Sequence, residues 1–355
     1  MAEINFGKTV SLKQAANIIS ATPENRYILR GEPGIGKSTL LEELARMHPD
    51  HEVSYIDVPN MDLGDIAMPV VDHETRTTKY YPNARFKMHT GKPVIIMLDE
   101  FTKGAQPVVN MLHPLLEKTN PRLGDIPVHP DSYIFMTGNL SSDGVGDMLK
   151  AHSRNRIGEL NVRKPSAAEW LEWATNHGVA PEICAWVSRE ERVMASYLDE
   201  GQQDNPYIFN PKKIQMSFVT PRSLHTASNI VNRRARLDSD SVIAALTGVI
   251  GESGARALEA FVAYADQLPV WESIMANPTK ALVPKDPGAC AVVAFNAIHK
   301  VEKGTIDTFM EYIERFEPEW QACFAINIAK TSSKQPIAFG SRKFSAWVAR
   351  NQDIL

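Results

Sequence analysis

A chain of 355 residues, 43% hydrophobic and 23% charged, has room for two or three domains and the balance of an ordinary globular protein. A net charge of −4 gives no global attraction to nucleic acid or anionic membrane, so only a local basic patch could serve either. Cys184, Cys290 and Cys323 lie far apart without metal-ligand spacing and read as reduced core residues of a cytoplasmic protein. The opening MAEINFGKTVS lacks a basic-then-apolar leader, and no apolar run approaches the roughly 18 residues of a membrane span, so membrane insertion is not expected.

In chain order, Ser11 is placed to cap a short helix over LKQAANIIS. Residues 26–47, RYILRGEPGIGKSTLLEELARM, then run from an apolar strand through a glycine-rich loop into a helical pattern. Gly31, four residues, Gly36, Lys37 and Ser38 match the P-loop spacing in full. The candidate nucleotide-binding stretch is therefore Gly31, Glu32, Pro33, Gly34, Ile35, Gly36, Lys37, Ser38 and Thr39. Its glycines let backbone N–H groups turn inward on a polyphosphate, and the following helix offers its positive end to the same anion. Lys37 would reach the β- and γ-phosphates of ATP, and the Ser38 hydroxyl would ligate Mg²⁺. An ordinary strand-to-helix turn is the competing reading, and the Lys-Ser pair in this context disfavours it.

A second strand is predicted over EVSYIDV (52–58), followed by a hairpin around DHETRTTKYYPN. KPVIIMLDEF (92–101) has the apolar run of a strand buried on both faces of a parallel sheet, and it ends in Asp99 and Glu100. Asp99 could hold the metal, and Glu100 could orient and deprotonate an attacking water. Solvated acids at a strand end are the alternative. A similar strand, SYIFMTGN (132–139), closes on Thr137-Gly138-Asn139, and Asn139 either contacts the γ-phosphate or the water or simply makes a turn. DMLKAHSRNRIGELNV then predicts a short helix, two arginines at Arg154 and Arg156, and a further β-like run. Those arginines either act in chemistry or satisfy a helix dipole and nearby acids.

The order P-loop, IIMLDE, IFMTGN, SRNR and TPRS resembles an AAA+ ATPase, and over roughly residues 5–240 it resembles the MoxR branch. DLGDI after the second strand, the hairpin-like insertion before GKPVIIMLDE, and a second hairpin-like stretch, RLGDIPVHPDS, carry the narrower resemblance. It implies an α/β P-loop NTPase core with a parallel sheet and hairpin insertions, then an α-helical lid and a helical C-terminal extension. The expected boundaries are 1–165, 166–267 and 268–355. It further implies that Asn139 is the sensor-1 residue, that Arg222 in TPRS reaches nucleotide from the lid, and that Arg156 or Arg154 is a finger offered to a neighbouring subunit's ATP. Two departures stand out: Ile157 follows Arg156 where the family usually has phenylalanine, and Thr102-Lys103 replaces the usual Asn-Arg after the acidic pair.

After Pro165 the apolar residues recur three and four apart in SAAEWLEWATNHG, APEICAWVSREERVMASYL, RSLHTASNIVNRRARL and DSVIAALTGVIG, predicting packed amphipathic helices. A polar loop (199–218) separates them, and Arg233, Arg234 and Arg236 form a basic run that is either a solvated helix face or a nucleic-acid contact. From Leu268 a proline-rich linker leads to three more helices, and Trp320, Phe324, Phe344 and Trp347 are either core or a docking face.

The resemblance implies Mg²⁺-dependent ATP hydrolysis in a ring, a hexamer, because a finger supplied in trans completes a site only between subunits. The leading expectation is a stand-alone chaperone-like remodeller of protein complexes, working with a protein client or adaptor, for which a von Willebrand factor A domain protein is a candidate. A nucleic-acid motor or loader, and a nucleotide-gated scaffold with little turnover, are the other two classes. The mixed charge of the two hairpin stretches argues against a phosphate track.

Overall fold

The computed structural model describes residues 8–140 and 156–352. They divide into two compact units that meet in sequence between Lys164 and Pro165. Arg154 and the short helix expected beside it lie outside the described residues.

In the first unit the strands run in chain order as β1 (Thr9–Val10), β2 (Tyr27–Arg30), β3 (Glu52–Asp57), β4 (Ala67–Asp72), β5 (Thr77–Pro82), β6 (Val94–Asp99), β7 (Arg122–Leu123), β8 (Ile126–Pro127), β9 (Tyr133–Gly138) and β10 (Gly158–Val162). Six of them make one sheet in the order β1-β10-β2-β9-β6-β3, parallel throughout. Helices α1 (Leu12–Ala21), α2 (Thr39–Met47) and α3 (Gln106–Leu112) connect them.

The continuous apolar run of β6 reflects burial on both faces. Ile95 and Met97 pack with Leu29, Phe135 and the apolar residues of α1 and α2, while Ile96 and Leu98 join Ile134, Phe101 and Leu112 on the other side. At the start of α1, Ser11 accepts from the Gln14 backbone N–H at 3.1 Å and Gln14 accepts from the Ser11 N–H at 2.8 Å. This reciprocal cap fixes the helix start where the sequence places it.

Both hairpins are present. β4 and β5 pair antiparallel over 67–82, and β7 and β8 pair around Gly124 and Asp125. The second hairpin's tip is bound to the first: Asp125 N–H donates to the Tyr80 carbonyl at 2.9 Å, and its carboxylate accepts from the Tyr80 N–H at 2.7 Å. Gly124 has φ 57°, and a Cβ there would fall 2.3 Å from the Tyr80 oxygen. Glycine is what lets the two ribbons meet.

The second unit is helical, and a single apolar core runs from Ala167 to Trp347. Residues 166–267 and 268–355, expected as a lid and an extension, both contribute to that core. The helix expected over 180–198 is instead Pro181–Arg189 followed by a 3-10 turn, Glu191–Met194. The break at Glu190, φ −119° and ψ 71°, leads into the turn in which Val193 and Met194 are buried. The helix expected over DSVIAALTGVIG (240–251) is part of a longer one, Ser239–Gln267, interrupted at Gly251 where φ is 77°. A side chain at 251 would sit 2.8 Å from the Ser217 carbonyl oxygen.

The proline-rich linker carries a short helix, Trp271–Ala276. It is pinned by Arg315, which donates to the Pro278 and Ala281 carbonyls at 2.6 and 2.8 Å, and by the Tyr312 hydroxyl, which donates to the Leu282 carbonyl at 2.6 Å. Trp320, Phe324, Phe344 and Trp347 are all buried, so these aromatics are core and not a docking face. Burial also pushes the Cys290 thiol up to about 11 and the Cys323 thiol up to about 12, as suits unreactive core cysteines. Among the described residues, no helix is long and apolar enough to cross a membrane.

The Trp347 indole fills the core and its N–H donates to Gln321 at 2.7 Å. Trp347→Ala is therefore expected to destabilise the second unit by about 3–5 kcal/mol. Denaturant unfolding followed by tryptophan fluorescence measures this, and a loss below about 1 kcal/mol would contradict a core role.

Candidate functional site

The site is built on three adjacent parallel strands, β2, β9 and β6, whose carboxyl ends lie side by side. Each contributes its carboxyl end: β2 opens into the glycine-rich loop, β6 closes on the acidic pair, and β9 hands on to Asn139. Parallel strands converge in this way only because each crossover returns the chain to the same edge.

Gly31 to Ser38 curl from β2 into α2, with Gly34 at φ 72° and Gly36 at φ 101°. These left-handed values favour glycine, and such residues are how a loop can gather its backbone amides around an anion. Gly31 is required for a different reason, since a Cβ would lie 2.6 Å from both the Val162 oxygen and the Ile35 side chain. The Lys37 ammonium folds over the loop, donating to the Gly31 carbonyl at 2.7 Å and the Glu32 carbonyl at 2.9 Å. It also lies 3.5 Å from Asn139 Oδ1, which joins the loop to the β9 end. Ser38 makes no side-chain cap on α2, whereas the Thr39 hydroxyl is engaged with the Gly36 carbonyl at 2.7 Å.

The acidic pair is held by a residue to which the sequence assigned no role. The Thr137 side chain, 1% exposed, donates its hydroxyl proton to Asp99 Oδ1 and accepts the Glu100 backbone N–H at 3.0 Å. Tyr55, on the neighbouring β3, donates its hydroxyl to Asp99 Oδ2 at 2.8 Å. Both Asp99 oxygens are thus oriented by hydroxyls. Glu100 itself is left-handed, with φ 49° and ψ 39°, a conformation that costs a non-glycine residue about 1–2 kcal/mol. The Thr137 bond helps to hold it there, and the Glu100 carboxylate pairs with Lys103 at 2.9 Å. Lys103 is one of the residues that depart from the resembled pattern. Threonine within an apolar β run was the available signal for Thr137, since a buried hydroxyl needs partners.

Arg156 is elsewhere. It precedes β10, whose first residue, Gly158, is in register with Tyr27 at the beginning of β2. It therefore lies at the amino-terminal edge of the sheet, opposite the glycine loop. Its guanidinium pairs with Glu117 at 2.8 Å and approaches His113 Nδ1 at 3.4 Å, beside a cleft also lined by Asn110, Asn120 and Arg122. The structure brings together the loop, Asp99, Glu100 and Asn139, and it leaves Arg156 away from them. Arg222 belongs to the second unit, where it is exposed in the first turn of the helix Pro221–Val231. A cation there opposes the helix dipole, so the position is not explained by helix stability.

A sheet of this order with this loop and these strand ends is the fold of an AAA+ P-loop NTPase. Residues 26–155 match the family model described as the AAA domain of the dynein-related subfamily. No curated protein matches the chain. Similar solved structures include NtrX from Brucella abortus in complex with ADP, 13% identical, covering 97% of this chain and 67% of that one with a TM-score of 0.40. The same protein in complex with ATP is 13% identical over 98% and 69% of the two chains, with a TM-score of 0.38.

Thr137→Val keeps the shape of the side chain while stranding the Glu100 N–H and removing one donor from Asp99. It is expected to destabilise the first unit by about 1–3 kcal/mol, with Thr137→Ser recovering most of the loss. Thermal or denaturant unfolding of the three proteins reads this, and equal stability of valine and threonine would contradict the bridging role.

Proposed function

We propose that the chain is a MoxR-like AAA+ ATPase that hydrolyses ATP in a ring, a hexamer of one-site subunits, and uses the energy to remodel a protein complex. The observation that carries this reading is the convergence of Lys37, Asp99, Glu100 and Asn139 on one sheet edge.

The residues present fit a magnesium-bound nucleotide. The positive-φ glycines leave the loop open to close approach by phosphate, and Ser38 and Asp99 offer the hard oxygens that magnesium takes. Bound there, magnesium would neutralise charge on the phosphoryl oxygens. In this reading Lys37 holds the β- and γ-phosphates, and Glu100 orients a water and accepts its proton as that water attacks. Asn139 holds the water or the γ-phosphate, and Arg222 contacts nucleotide from the helical unit.

The position of Arg156 supports a shared site. Lying at the opposite edge of the sheet from its own loop, it is suited to a neighbour's nucleotide, and Glu117 is its partner within the subunit. Arg154 remains the other candidate finger. A protein client is favoured by the β4–β5 hairpin, which exposes Met68, Val70, Val71, Tyr80 and Tyr81. The hairpin's cations are few: Lys79 is paired with Asp72 at 3.3 Å, and Arg76 is exposed in the turn. Of the basic run in the second unit, Arg234 is committed to Glu182 at 3.0 Å. Neither feature offers the string of phosphate contacts that a nucleic-acid motor uses. An adaptor with a von Willebrand factor A domain is a candidate partner.

Lys37→Ala is expected to lose ATP binding, whereas Glu100→Gln should bind ATP and hydrolyse it about 10²–10⁴-fold more slowly. Equal loss of binding in both variants would contradict these roles. DNA and RNA binding by the ATP-loaded Glu100→Gln protein at physiological salt should be weak; tight, salt-sensitive binding would favour the nucleic-acid motor instead.

Arg156→Ala should bind ATP normally and turn it over poorly. Mixed with Lys37→Ala subunits at random, about a quarter of the sites pair an intact cradle with an intact finger, so activity should partly return. No rescue in oligomers shown to exchange subunits would count against a finger in trans at this residue.

A further inference from the structure

A charged residue ends the strand that leads into the glycine loop. Arg30, the last residue of β2, is only 6% exposed, a charged side chain in a sheet whose other buried polar residues, Ser54 and Thr137, are small and neutral. Burying a guanidinium is costly unless it is paired and hydrogen-bonded, and an aliphatic residue would fill the same space without that cost. The position therefore calls for a reason beyond packing.

The contacts supply one. Arg30 Nη1 donates to the backbone carbonyl of Asn139 at 3.0 Å, and its Nε lies 3.7 Å from the Glu159 carboxylate on β10. Register places Arg30 opposite Gly138 on β9 and opposite Asn161 on β10, so its side chain bridges the strands on either side. Room for it depends on glycine: a Cβ at 138 would lie 2.7 Å from Nη1 and 3.3 Å from Cζ. Gly138 has an unexceptional φ, and so is needed for space and not for backbone conformation. The same Asn139 whose carbonyl Arg30 holds presents its side-chain oxygen to Lys37 at 3.5 Å.

We infer that Arg30 is a positioning residue for the nucleotide site: held by Glu159 and admitted by Gly138, it fixes the Asn139 backbone so that the Asn139 amide faces Lys37. This rests on the ATPase reading above. In this inference Arg30 acts through Asn139 rather than on the reacting groups. Misplacing a catalytic group by about 1 Å can cost on the order of 10²-fold in rate.

The test is a double-mutant cycle on the full chain, reading turnover at saturating ATP, affinity for a fluorescent ATP analogue, and thermal unfolding. Arg30→Met and Asn139→Ala should each lower turnover by about 10–100-fold, with analogue affinity within about threefold of wild type. The double variant should be no slower than Asn139→Ala, because once the amide is gone its placement no longer matters. Gly138→Ala, which displaces the guanidinium without removing it, should reproduce Arg30→Met and keeps the test open should that variant not fold. Wild-type turnover in Arg30→Met or Gly138→Ala would overturn the inference alone, as would losses that multiply in the double variant. Absence of turnover in the wild-type chain would overturn the ATPase reading and this inference with it.

Discussion

The site depends on β9 lying between β2 and β6. One strand must reach the glycine loop on one side and the acidic pair on the other, and it does so with residues two apart. Thr137 is bonded to Asp99 and Glu100, while Asn139 meets Lys37 and Arg30. A slip of one residue in the β9 register would turn Thr137 to the opposite face of the sheet and uncouple both halves. The apolar residues of β9 guard against such a slip, because Ile134 and Met136 belong to one core and Tyr133 and Phe135 to the other.

Polar groups at this edge are consequently held in place by neighbours rather than by solvent. Asp99 has a hydroxyl on each oxygen, Glu100 is held in a left-handed conformation, and Arg30 is a cation buried within the sheet. The Glu100 conformation and the Arg30 burial are locally unfavourable, and both are offset by hydrogen bonds to β9 and the residue that follows it. Backbone strain of the Glu100 kind clusters at functional sites, which agrees with the proposed role of this edge. The opposite edge carries Arg156 with Glu117, so the two halves of the proposed intersubunit site face away from each other within one chain.

Much of this was legible in the sequence because it is local. The glycine loop, Lys37, Ser38 and the Asp99-Glu100 pair each fall within a few residues and carry their own spacing. The Ser11 cap and the two hairpin stretches are equally short-range. Contacts between distant residues were not legible. Tyr55 reads only as part of a strand, Thr137 as part of a strand's polar close, and Arg30 as the end of another strand, until register sets them beside Asp99, Glu100 and Asn139. The same limit applied in the helical unit. Periodicity found amphipathic helices, but it could not show that Val193 and Met194 would be buried beyond a break at Glu190, or that Trp347 would share a core with Trp170.

The central claim is that the loop, Asp99 and Asn139 form a single magnesium–nucleotide site. Calorimetric titration of the intact chain with a non-hydrolysable ATP analogue, with magnesium and then with a chelator, tests it most directly. Saturable binding of one nucleotide per chain is predicted, weakened on the order of tenfold or more when the metal is withdrawn and the phosphate charge is left unneutralised beside Asp99. Failure to bind at millimolar nucleotide, or an affinity indifferent to magnesium, would contradict it.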